Sequence, residues 1–379
     1  MNGRGLAKRF GTPLYVYDER LIRERCRALR DHFPGATIHY AVKANANSVL
    51  LSIIRSEGCG VETVSPGEIL LARKAKFPKE KTSFTCASLT EEELVIAARS
   101  CAYVHLDSLH QIEVWGKRKL GKNISLRLNQ GIGAGHHKHV ITGGPHSKFG
   151  ISLTDVPEAK RLARKYGLRI TGLAQHIGSN VLSTAIFVRA LQKLLDTAVA
   201  FPDIEHIDFG GGFGIPYTPT ERALNLAAVG KEYVRRTSRY LKSQKRKVTF
   251  AFEPGRYLVA ESGTLLVSVT DRKATSAHDF AGVNAGFNQL IRPAMYGSYH
   301  PITNLSRRSG VQKEITIAGN VCESGDLFAI DRRMTVPKIG DILAIHNAGA
   351  YGRSMASTYN ARPLPREVLM RSNGTVKEI

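Results

Sequence analysis

Lys43 stands between two different hydrophobic patterns in the stretch TIHYAVKANANSVLLSII. Apolar residues alternate at the period of a strand from Ile38 to Val42, and they recur at helical spacing from Val49 to Ile54. The sequence therefore predicts a lysine at the carboxyl end of a strand, on the face opposite the apolar layer. Such an amine can bond covalently to a carbonyl compound, or its aliphatic stem can carry the charge to solvent. This stretch alone leaves both interpretations open.

Other side chains capable of chemistry follow later strand-like segments. Arg127 lies in ISLRLN, His176 and Ser179 lie in QHIGSN, and Glu253 and Arg256 lie in FEPGRY. In a barrel of parallel strands the carboxyl ends meet at one face, and the chemistry is located there. The sequence therefore predicts that these residues share one site with the lysine.

A run of three glycines, Gly210, Gly211 and Gly212, follows the segment HIDF. Glycines let the backbone approach a ligand closely, and successive N–H groups can bind an anion such as phosphate. Gly255 and Arg256 in the next unit add donors, and barrels of this type commonly bind phosphate after their seventh and eighth strands. The two loops together predict a phosphate site.

A lysine, a phosphate site and a carboxylate are the groups that pyridoxal phosphate requires from a protein. Lys43 would hold the cofactor, and Glu253 would keep its ring nitrogen protonated so that the ring withdraws electrons. His176 would stack on the ring, although a histidine of the hydrophobic core is the alternative. These residues predict a pyridoxal-phosphate enzyme.

Eight strand-like segments alternate with helical ones, which is typical of βα units around a parallel sheet. The predicted strands are TIHYAVK, CGVETVS, TSFTC, AYVHLD, ISLRLN, RITGLAQHI, HIDFG and KVTFAFE. They predict an α/β fold with a (β/α)8 TIM barrel over residues 20–262. Residues 263–379 contain strand patterns without long helices, and with residues 1–19 they are predicted to form a second, β-rich domain of sandwich or barrel type.

The composition is that of a globular protein, with 42% hydrophobic and 23% charged residues among 379. No apolar run approaches the length of a membrane span, and no apolar segment follows the basic N-terminal residues, so we expect neither a membrane anchor nor a secretion signal. Five cysteines without a CxxC pair fit a reducing cytoplasm. The net charge of +22 is spread over many segments, and we do not expect nucleic acid as a partner.

The histidine-rich segment GIGAGHHKHVITGGPHSKFGIS follows the fifth predicted strand. A surface loop is one interpretation and a metal site is the other. HHKH lacks a carboxylate or a further ligand at a supporting spacing, so we expect no metal.

Seven motifs, YAVKAN, HIGS, GGGFG, EPGR, RPAMYG, CESGD and GAYG, follow one another along the chain. In these motifs the chain resembles the fold-type III family of pyridoxal-phosphate amino-acid decarboxylases, which act on ornithine, arginine or diaminopimelate. The resemblance extends from about Thr12 to Leu369 and is closest to the diaminopimelate-specific branch. It implies decarboxylation of meso-2,6-diaminopimelate to L-lysine and carbon dioxide, the last step of lysine biosynthesis.

The resemblance also implies roles for the motif residues. The catalytic residues would be Lys43, His176 and Cys322, with Cys322 as the proton donor. The cofactor would contact Lys43, Arg127, His176, Ser179, Gly211, Gly212, Glu253, Gly255, Arg256 and Tyr351. The substrate would contact Arg256, Arg292, Tyr296, Glu323 and Tyr351. In this family the CESGD motif reaches the partner subunit's site, which implies a homodimer with two shared active sites.

Arg292 bears on the substrate, because a guanidinium suits a distal carboxylate and repels a second ammonium. A surface salt bridge is the alternative. Ornithine, lysine, arginine and a carrier-bound acyl amino acid also remain open as substrates, and Glu62 and Gln130 depart from the usual aspartate and proline near the predicted site. Glu253 argues against an alanine racemase, which has an arginine there. The complete set of cofactor residues argues against a noncatalytic basic binding protein.

Overall fold

The computed structural model describes residues 3–135, 144, 147–307 and 309–379. The chain divides into two compact units, which we call the barrel unit and the β unit. The barrel unit contains residues 23–215 and 222–257, and the β unit contains the described residues of 1–22, 216–221 and 258–379. This division differs from the predicted one chiefly in grouping residues 216–221 with the β unit.

The described residues form twenty strands and eleven α-helices. The strands are β1 (Leu14–Asp18), β2 (Ala36–Ala41), β3 (Gly60–Thr63), β4 (Thr82–Thr85), β5 (Tyr103–Leu106), β6 (Asn123–Asn129), β7 (Ala134–Gly135), β8 (Ile151–Ser152), β9 (Arg169–Ala174), β10 (Gly178–Ser179), β11 (His206–Asp208), β12 (Thr249–Phe252), β13 (Gly263–Ala274), β14 (Asp279–Val283), β15 (Ile302–Asn304), β16 (Gln312–Ala318), β17 (Leu327–Thr335), β18 (Ile342–Ile345), β19 (Arg366–Met370) and β20 (Val376–Glu378). The helices are α1 (Gly3–Phe10), α2 (Glu19–His32), α3 (Ser48–Ser56), α4 (Pro66–Lys74), α5 (Glu91–Ser100), α6 (Leu109–Lys117), α7 (Val156–Lys165), α8 (Thr184–Ala198), α9 (Leu226–Gln244), α10 (Arg256–Val259) and α11 (Arg292–Tyr296).

Eight parallel strands close the barrel unit. Their order is β5-β4-β3-β2-β12-β11-β9-β6, and β5 also pairs with β6, which completes the ring. Each contains part of one of the eight predicted strand segments, so the prediction of a (β/α)8 barrel is confirmed. All eight strands run in the same direction, so the segments that follow them meet at one face.

After β2, β3, β4 and β5 the next α-helix begins within about seven residues, and a capping side chain lies in each of these connecting loops. Thr90 accepts a hydrogen bond from the Glu93 N–H, and the Glu93 carboxylate accepts one from the Thr90 N–H, which is a complete capping box at α5. Ser65 caps α4, and Asn47 caps α3 by accepting from the Val49 N–H. These caps keep the loops of the catalytic face short.

The segment around Lys43 differs from its prediction. β2 ends at Ala41, and Val42–Ala44 form a turn of 3-10 helix, so Lys43 lies beyond the strand. His39 is 1% exposed, so the face that was expected to be polar is as buried as the apolar one. A barrel strand contacts the barrel interior on one side and the surrounding helices on the other, which removes the simple alternation.

The β unit is a curled mixed sheet, which confirms the predicted β-rich domain. Its main order is β17-β16-β14-β13-β1-β19-β20, while β18 pairs with β13 and β15. β1 pairs antiparallel to β13 and parallel to β19, so a strand near the N-terminus completes a sheet formed mostly by C-terminal residues. Four strand patterns were expected in residues 263–379, namely GTLLVSVTD, FAGVN, EITIAG and DILAIHN, and they correspond to β13, β14, β16 and β18. The strands β1, β15, β17, β19 and β20 were not expected. A hydrophobic core joins α1 to the sheet. Its buried residues are Leu6, Ala7, Leu14, Val16, Leu266, Ala344 and Val368.

Two further properties of the described residues concern the apolar character of the helices and the state of the cysteines. None of these helices combines the length and the apolar character that crossing a bilayer requires. All five cysteines are thiols in this structure: Cys26, Cys59 and Cys101 are buried, Cys86 is half-buried and Cys322 is exposed.

Candidate active site

A cavity of about 280 Å³ lies at the carboxyl ends of the barrel strands. Four of the predicted site residues line it, namely Lys43, Arg127, His176 and Glu253. They follow or end four different strands, so the barrel brings together residues that are as much as 210 positions apart, counting from 43 to 253. The cavity is therefore the candidate active site of the barrel unit.

Lys43 is fixed by a carboxylate from the adjacent strand. Its Nζ lies 2.5 Å from Oε2 of Glu62, and the Glu62 side chain is only 2% exposed, against 37% for Lys43. Glu62, which the sequence analysis noted only as a departure from the usual aspartate, is thus the ion-pair partner of the lysine. Burial raises the pKa of nearby Glu68 to about 7, and the negative charge of Glu62 adds to this increase. The pair gives the amine a neighbouring group that can accept its proton.

Glu253 is a buried acid directly after β12, the strand that pairs with β2. Its Oε1 accepts a hydrogen bond from the Ser83 hydroxyl at 3.3 Å. Burial raises the pKa of Glu253 well above its usual range, and the charges of Asp208 and Glu62 add to this, while Lys43 and Arg127 oppose it. Such a group holds or shares a proton near neutral pH.

His176 is neutral in this environment. Burial lowers the pKa of the imidazole well below its usual value, and the positive charges of Arg127 and Lys43 lower it further. The Gly211 N–H donates to Nδ1 at 3.1 Å, so the neutral ring carries its proton on Nε2. The ring is therefore an uncharged surface at the cavity wall, held by the backbone of the glycine run.

The glycine run is required by close packing as much as by ligand binding. A Cβ on Gly210 would lie 2.0 Å from the Gln175 carbonyl oxygen, and one on Gly211 would lie 2.2 Å from that of Glu253. The Gly210 N–H donates to Asp208 Oδ1 at 2.8 Å, and the Gly211 N–H donates to His176. Two of the three N–H groups predicted to form an anion site are thus engaged within the protein.

Arg127 is oriented by groups that sequence analysis missed. Its Nη1 lies 3.1 Å from Oδ1 of Asp107, and its guanidinium lies 4.7 Å from the ring centre of Phe149. The Gly150 N–H donates to the other Asp107 oxygen at 3.1 Å. Asp107 ends the predicted strand AYVHLD, and this position at a strand's carboxyl end was the signal available in the sequence.

A second cationic group of the barrel unit lies after β12. Arg256 begins α10 behind the buried Gly255, and its guanidinium donates to the Ser179 hydroxyl at 2.8 Å. Gly212, with a φ of +103°, has a conformation that favours glycine. These four residues were predicted to contact a phosphate, and the structure joins the arginine and the serine directly.

Arg292 is buried in the β unit with 1% of its surface exposed. His300 Nδ1 lies 2.8 Å from the His346 carbonyl oxygen, to which it donates its proton, so His300 Nε2 accepts from Arg292 Nη1 at 3.0 Å. The guanidinium also lies 4.5 Å from the ring centre of Tyr217. The alternative of a surface salt bridge is therefore wrong.

The remaining predicted residues also belong to the β unit. Cys322 is exposed, and its N–H donates to Asn360 Oδ1 at 3.1 Å. Glu323 Oε1 accepts from the Tyr359 hydroxyl at 2.8 Å. Tyr296 ends α11, and Tyr351 has a φ of +57°. The predicted residues of the β unit thus lie in three parts of the chain, at residues 292–296, 322–323 and 351.

Two other positions noted in the sequence can now be placed. Gln130 is 3% exposed and is attached to α8, where its carbonyl oxygen accepts from Lys193 Nζ at 2.5 Å and its side-chain oxygen accepts from Thr197 at 3.3 Å. It therefore supports the end of β6. The HHKH segment, residues 136–139, lies outside the described residues.

Comparisons with known proteins agree with this geometry. Residues 19–260 match a family described as "Pyridoxal-dependent decarboxylase, pyridoxal binding domain". The chain is 43% identical to diaminopimelate decarboxylase of Methanothermobacter thermautotrophicus, covering 97% of this chain and 88% of that one, and 37% identical to that of Aquifex aeolicus, covering 99% and 90%. A crystal structure of diaminopimelate decarboxylase from M. jannaschii in complex with L-lysine is similar with a TM-score of 0.91, at 31% identity, covering 99% of this chain and 90% of that one.

Proposed function

The chain belongs to the diaminopimelate decarboxylases within the pyridoxal-dependent decarboxylase family, and on that basis we propose how its residues perform the reaction. It is a pyridoxal-phosphate-dependent carboxy-lyase that converts meso-2,6-diaminopimelate to L-lysine and carbon dioxide. The observation that supports the assignment most directly is the Lys43–Glu62 pair at the wall of a cavity that also contains Glu253.

The residues of the cavity fit pyridoxal phosphate. Lys43 offers an amine, Glu253 offers a buried acid for a ring nitrogen, and His176 offers a neutral ring face. A side chain at position 211 would collide with the Glu253 backbone, so glycine is required there. The backbone of residue 211 is therefore not covered by a side chain of its own. For the phosphate group we propose Gly212, Gly255, Ser179, Arg256 and Tyr351, since two N–H groups of the glycine run are already engaged.

Each residue then has a defined task. Bound pyridoxal phosphate supplies an electron sink for the electron pair that carbon dioxide leaves behind. Lys43 would hold the cofactor, and Glu62 would accept and return the proton of the lysine amine. Glu253 would share its proton with the ring nitrogen and so keep the electron sink effective. Arg127, held by Asp107, fixes the position of groups at the cavity wall.

The β unit supplies the groups for proton delivery and for the distal end of the substrate. Cys322, as an exposed thiol, donates the proton that replaces the carboxylate, and Glu323 beside it binds the substrate. Arg292 binds the distal carboxylate with Tyr296 nearby in α11. We propose a homodimer in which Cys322 and Glu323 enter the partner's active site, and we place the enzyme in the cytoplasm, where free thiols persist.

The decisive assay measures carbon dioxide release from meso-diaminopimelate beside ornithine, lysine, arginine and a carrier-linked amino acid. The first should yield L-lysine efficiently and the others should not. Comparable turnover of ornithine would overturn the assignment of Arg292. Borohydride reduction of the holoenzyme followed by peptide mapping should place the label on Lys43, and a label elsewhere would overturn the cofactor assignment.

A further inference from the structure

Three buried side chains inside the barrel converge on one point that does not belong to the catalytic cavity. His105 lies on β5, and His206 and Asp208 lie on β11; they are 1%, 5% and 0% exposed. One donor atom from each lies within 4.8 Å of the other two, and His105 Nε2 is 3.9 Å from Asp208 Oδ2. β5 and β11 are not neighbours in the barrel order, so the contact crosses the interior.

The converging atoms have no hydrogen-bond partner among the described residues. They are Nε2 of His105, Nε2 of His206 and Oδ2 of Asp208. Burial of a polar atom without a partner is costly, so three such atoms in one cluster of side chains require a common explanation.

The other ring nitrogens are held in the way that metal-binding histidines usually are. Thr249 donates its hydroxyl proton to the Glu205 carbonyl oxygen at 3.1 Å, so its oxygen accepts from Nδ1–H of His206 at 3.0 Å. The Nε2 atom of His206 therefore carries the lone pair, and it is buried without a hydrogen-bond partner among the described residues. His105 Nδ1 has the same kind of partner, the Ser125 hydroxyl at 2.7 Å.

The spacing decides between a metal ion and a direct hydrogen bond. Ligand atoms around tetrahedral zinc lie about 3.3–3.5 Å apart, given bonds of about 2.0–2.1 Å. The observed 3.9 Å between His105 and Asp208 needs a small approach to reach that value. A direct hydrogen bond between them would need about 2.7–2.9 Å, and it would leave His206 Nε2 without a partner.

The charge of the surroundings also favours a cation. Asp208 shares the barrel interior with two other acidic side chains, Glu253 and Glu62, which are close enough to interact with one another electrostatically. A dication would compensate these carboxylates.

An entry path exists on the other side of the barrel. A second cavity, of about 540 Å³, is lined by His206, Thr249, Ser125 and Tyr103. These residues lie at or near the amino ends of their strands, away from the catalytic cavity. An ion can therefore reach the ligands without passing the cofactor.

We propose that His105, His206 and Asp208 bind one Zn²⁺ ion in the barrel interior, with water as a fourth ligand. Two neutral imidazoles and a carboxylate are a donor set that zinc accepts readily. The ion links β5 to β11 and, through the Asp208–Gly210 hydrogen bond, supports the glycine run. The site adds a structural metal to the barrel. The sequence analysis had considered only the HHKH segment as a metal site and had expected no metal there.

The test measures zinc in the holoenzyme by mass spectrometry after incubation with Zn²⁺ and gel filtration. We expect one zinc per chain in the wild type and less than about a tenth of that in His206→Asn. Zinc addition should raise the Tm of the wild type but not that of His206→Asn. The control is the triple variant His136→Ala, His137→Ala and His139→Ala, which removes the histidines of the HHKH segment and should retain the zinc. Far-UV circular dichroism and the visible cofactor absorbance report that the variants are folded.

Three outcomes would overturn the site: a wild type without zinc, zinc retained by His206→Asn, or zinc lost from the triple variant. X-ray absorption of the wild-type zinc protein answers the question if the histidine variant does not fold. A ligand shell with two imidazoles at about 2.0–2.1 Å supports the site, and a shell without imidazole overturns it.

Discussion

The amine of Lys43 and Oε2 of Glu62 lie 2.5 Å apart, at the ends of two neighbouring barrel strands. Because this carboxylate is the nearest acceptor for the amine's proton, we expect Glu62→Gln to lower kcat/KM on the order of 100-fold. Steady-state lysine formation measures the effect. Glu62→Asp keeps the charge and should lose less activity, and a glutamine variant with the wild-type rate would exclude the proton-accepting role.

Glu253→Gln should keep the cofactor but slow turnover. The amide preserves the shape of the side chain but cannot share a carboxylic proton with the ring nitrogen, so we expect kcat to fall on the order of 100-fold while the visible absorbance remains. The matched control is Glu68→Gln, a partly shielded carboxyl near Lys43 that does not line the cavity. Equal losses in both variants would show that the effect is structural.

Lys43→Ala and Cys322→Ala should complement each other if active sites are shared between subunits. Each variant alone is expected to be inactive or slow. When they are co-expressed, half of the dimers are mixed and each mixed dimer contains one intact site, which predicts about a quarter of wild-type activity. Activity no greater than the sum of the separate variants would contradict the shared site, and sedimentation of the mixture confirms that dimers have formed.

Arg292→Lys should weaken selection of the distal carboxylate. Lysine keeps a charge but loses the planar fork, and hydrogen bonds to charged groups contribute about 1.5–3 kcal/mol, which corresponds to roughly a 10- to 150-fold loss in kcat/KM for meso-diaminopimelate. The ratio of this value to that for ornithine measures selectivity. Thermal unfolding of the same variant is the control, because Arg292 is buried. An unchanged ratio would remove Arg292 from substrate selection.

His39 predicts an acid-dependent loss of stability. Burial lowers the pKa of His39 to about 4, whereas the unfolded side chain titrates near 6.5. Between these values the unfolded chain binds a proton that the folded chain does not, so the free energy of unfolding decreases as the pH falls. His39→Gln should reduce this decrease by about 2–3 kcal/mol between pH 6.5 and 4.5.

Urea unfolding of the holoenzyme at pH 7 and at pH 4.5 measures the effect. Buried carboxyls such as Asp208 and Glu68, whose pKa values are raised to about 7, act in the opposite direction, so only the difference between variant and wild type is informative. The exposed His110→Gln is the matched control and should follow the wild type. A parallel pH profile for His39→Gln would contradict the prediction.

The barrel could be predicted because each of its strands carries a short apolar run next to a capped helix. Thr90 and Glu93 show this clearly, since the capping box is visible in the sequence and present in the structure. The β unit was harder to predict. β17, for example, contains Asp331, Arg332 and Arg333, and a strand with an exposed charged face has a weak apolar signal.

In the catalytic cavity, the motifs identified the groups that would contact a cofactor but not the groups that position them. Glu62 and Asp107 become visible only when strand pairing brings them beside Lys43 and Arg127. Sequence spacing cannot reveal such pairs, because the partners lie on different strands. The glycine run shows a different case, because its N–H groups were predicted to bind an anion and two of them are engaged by Asp208 and His176.

The pairing of β1 with β13 and β19 has a consequence for biosynthesis. Leu14 pairs with Leu266 and Arg366, which the ribosome adds much later than residue 14. At about 5–20 residues per second, β1 waits roughly 20–70 seconds for its second neighbour, while the whole barrel sequence emerges in between. The apolar LYVYD segment therefore lacks its strand partners during most of synthesis, and we expect a chaperone that binds extended hydrophobic peptides to bind it in that period.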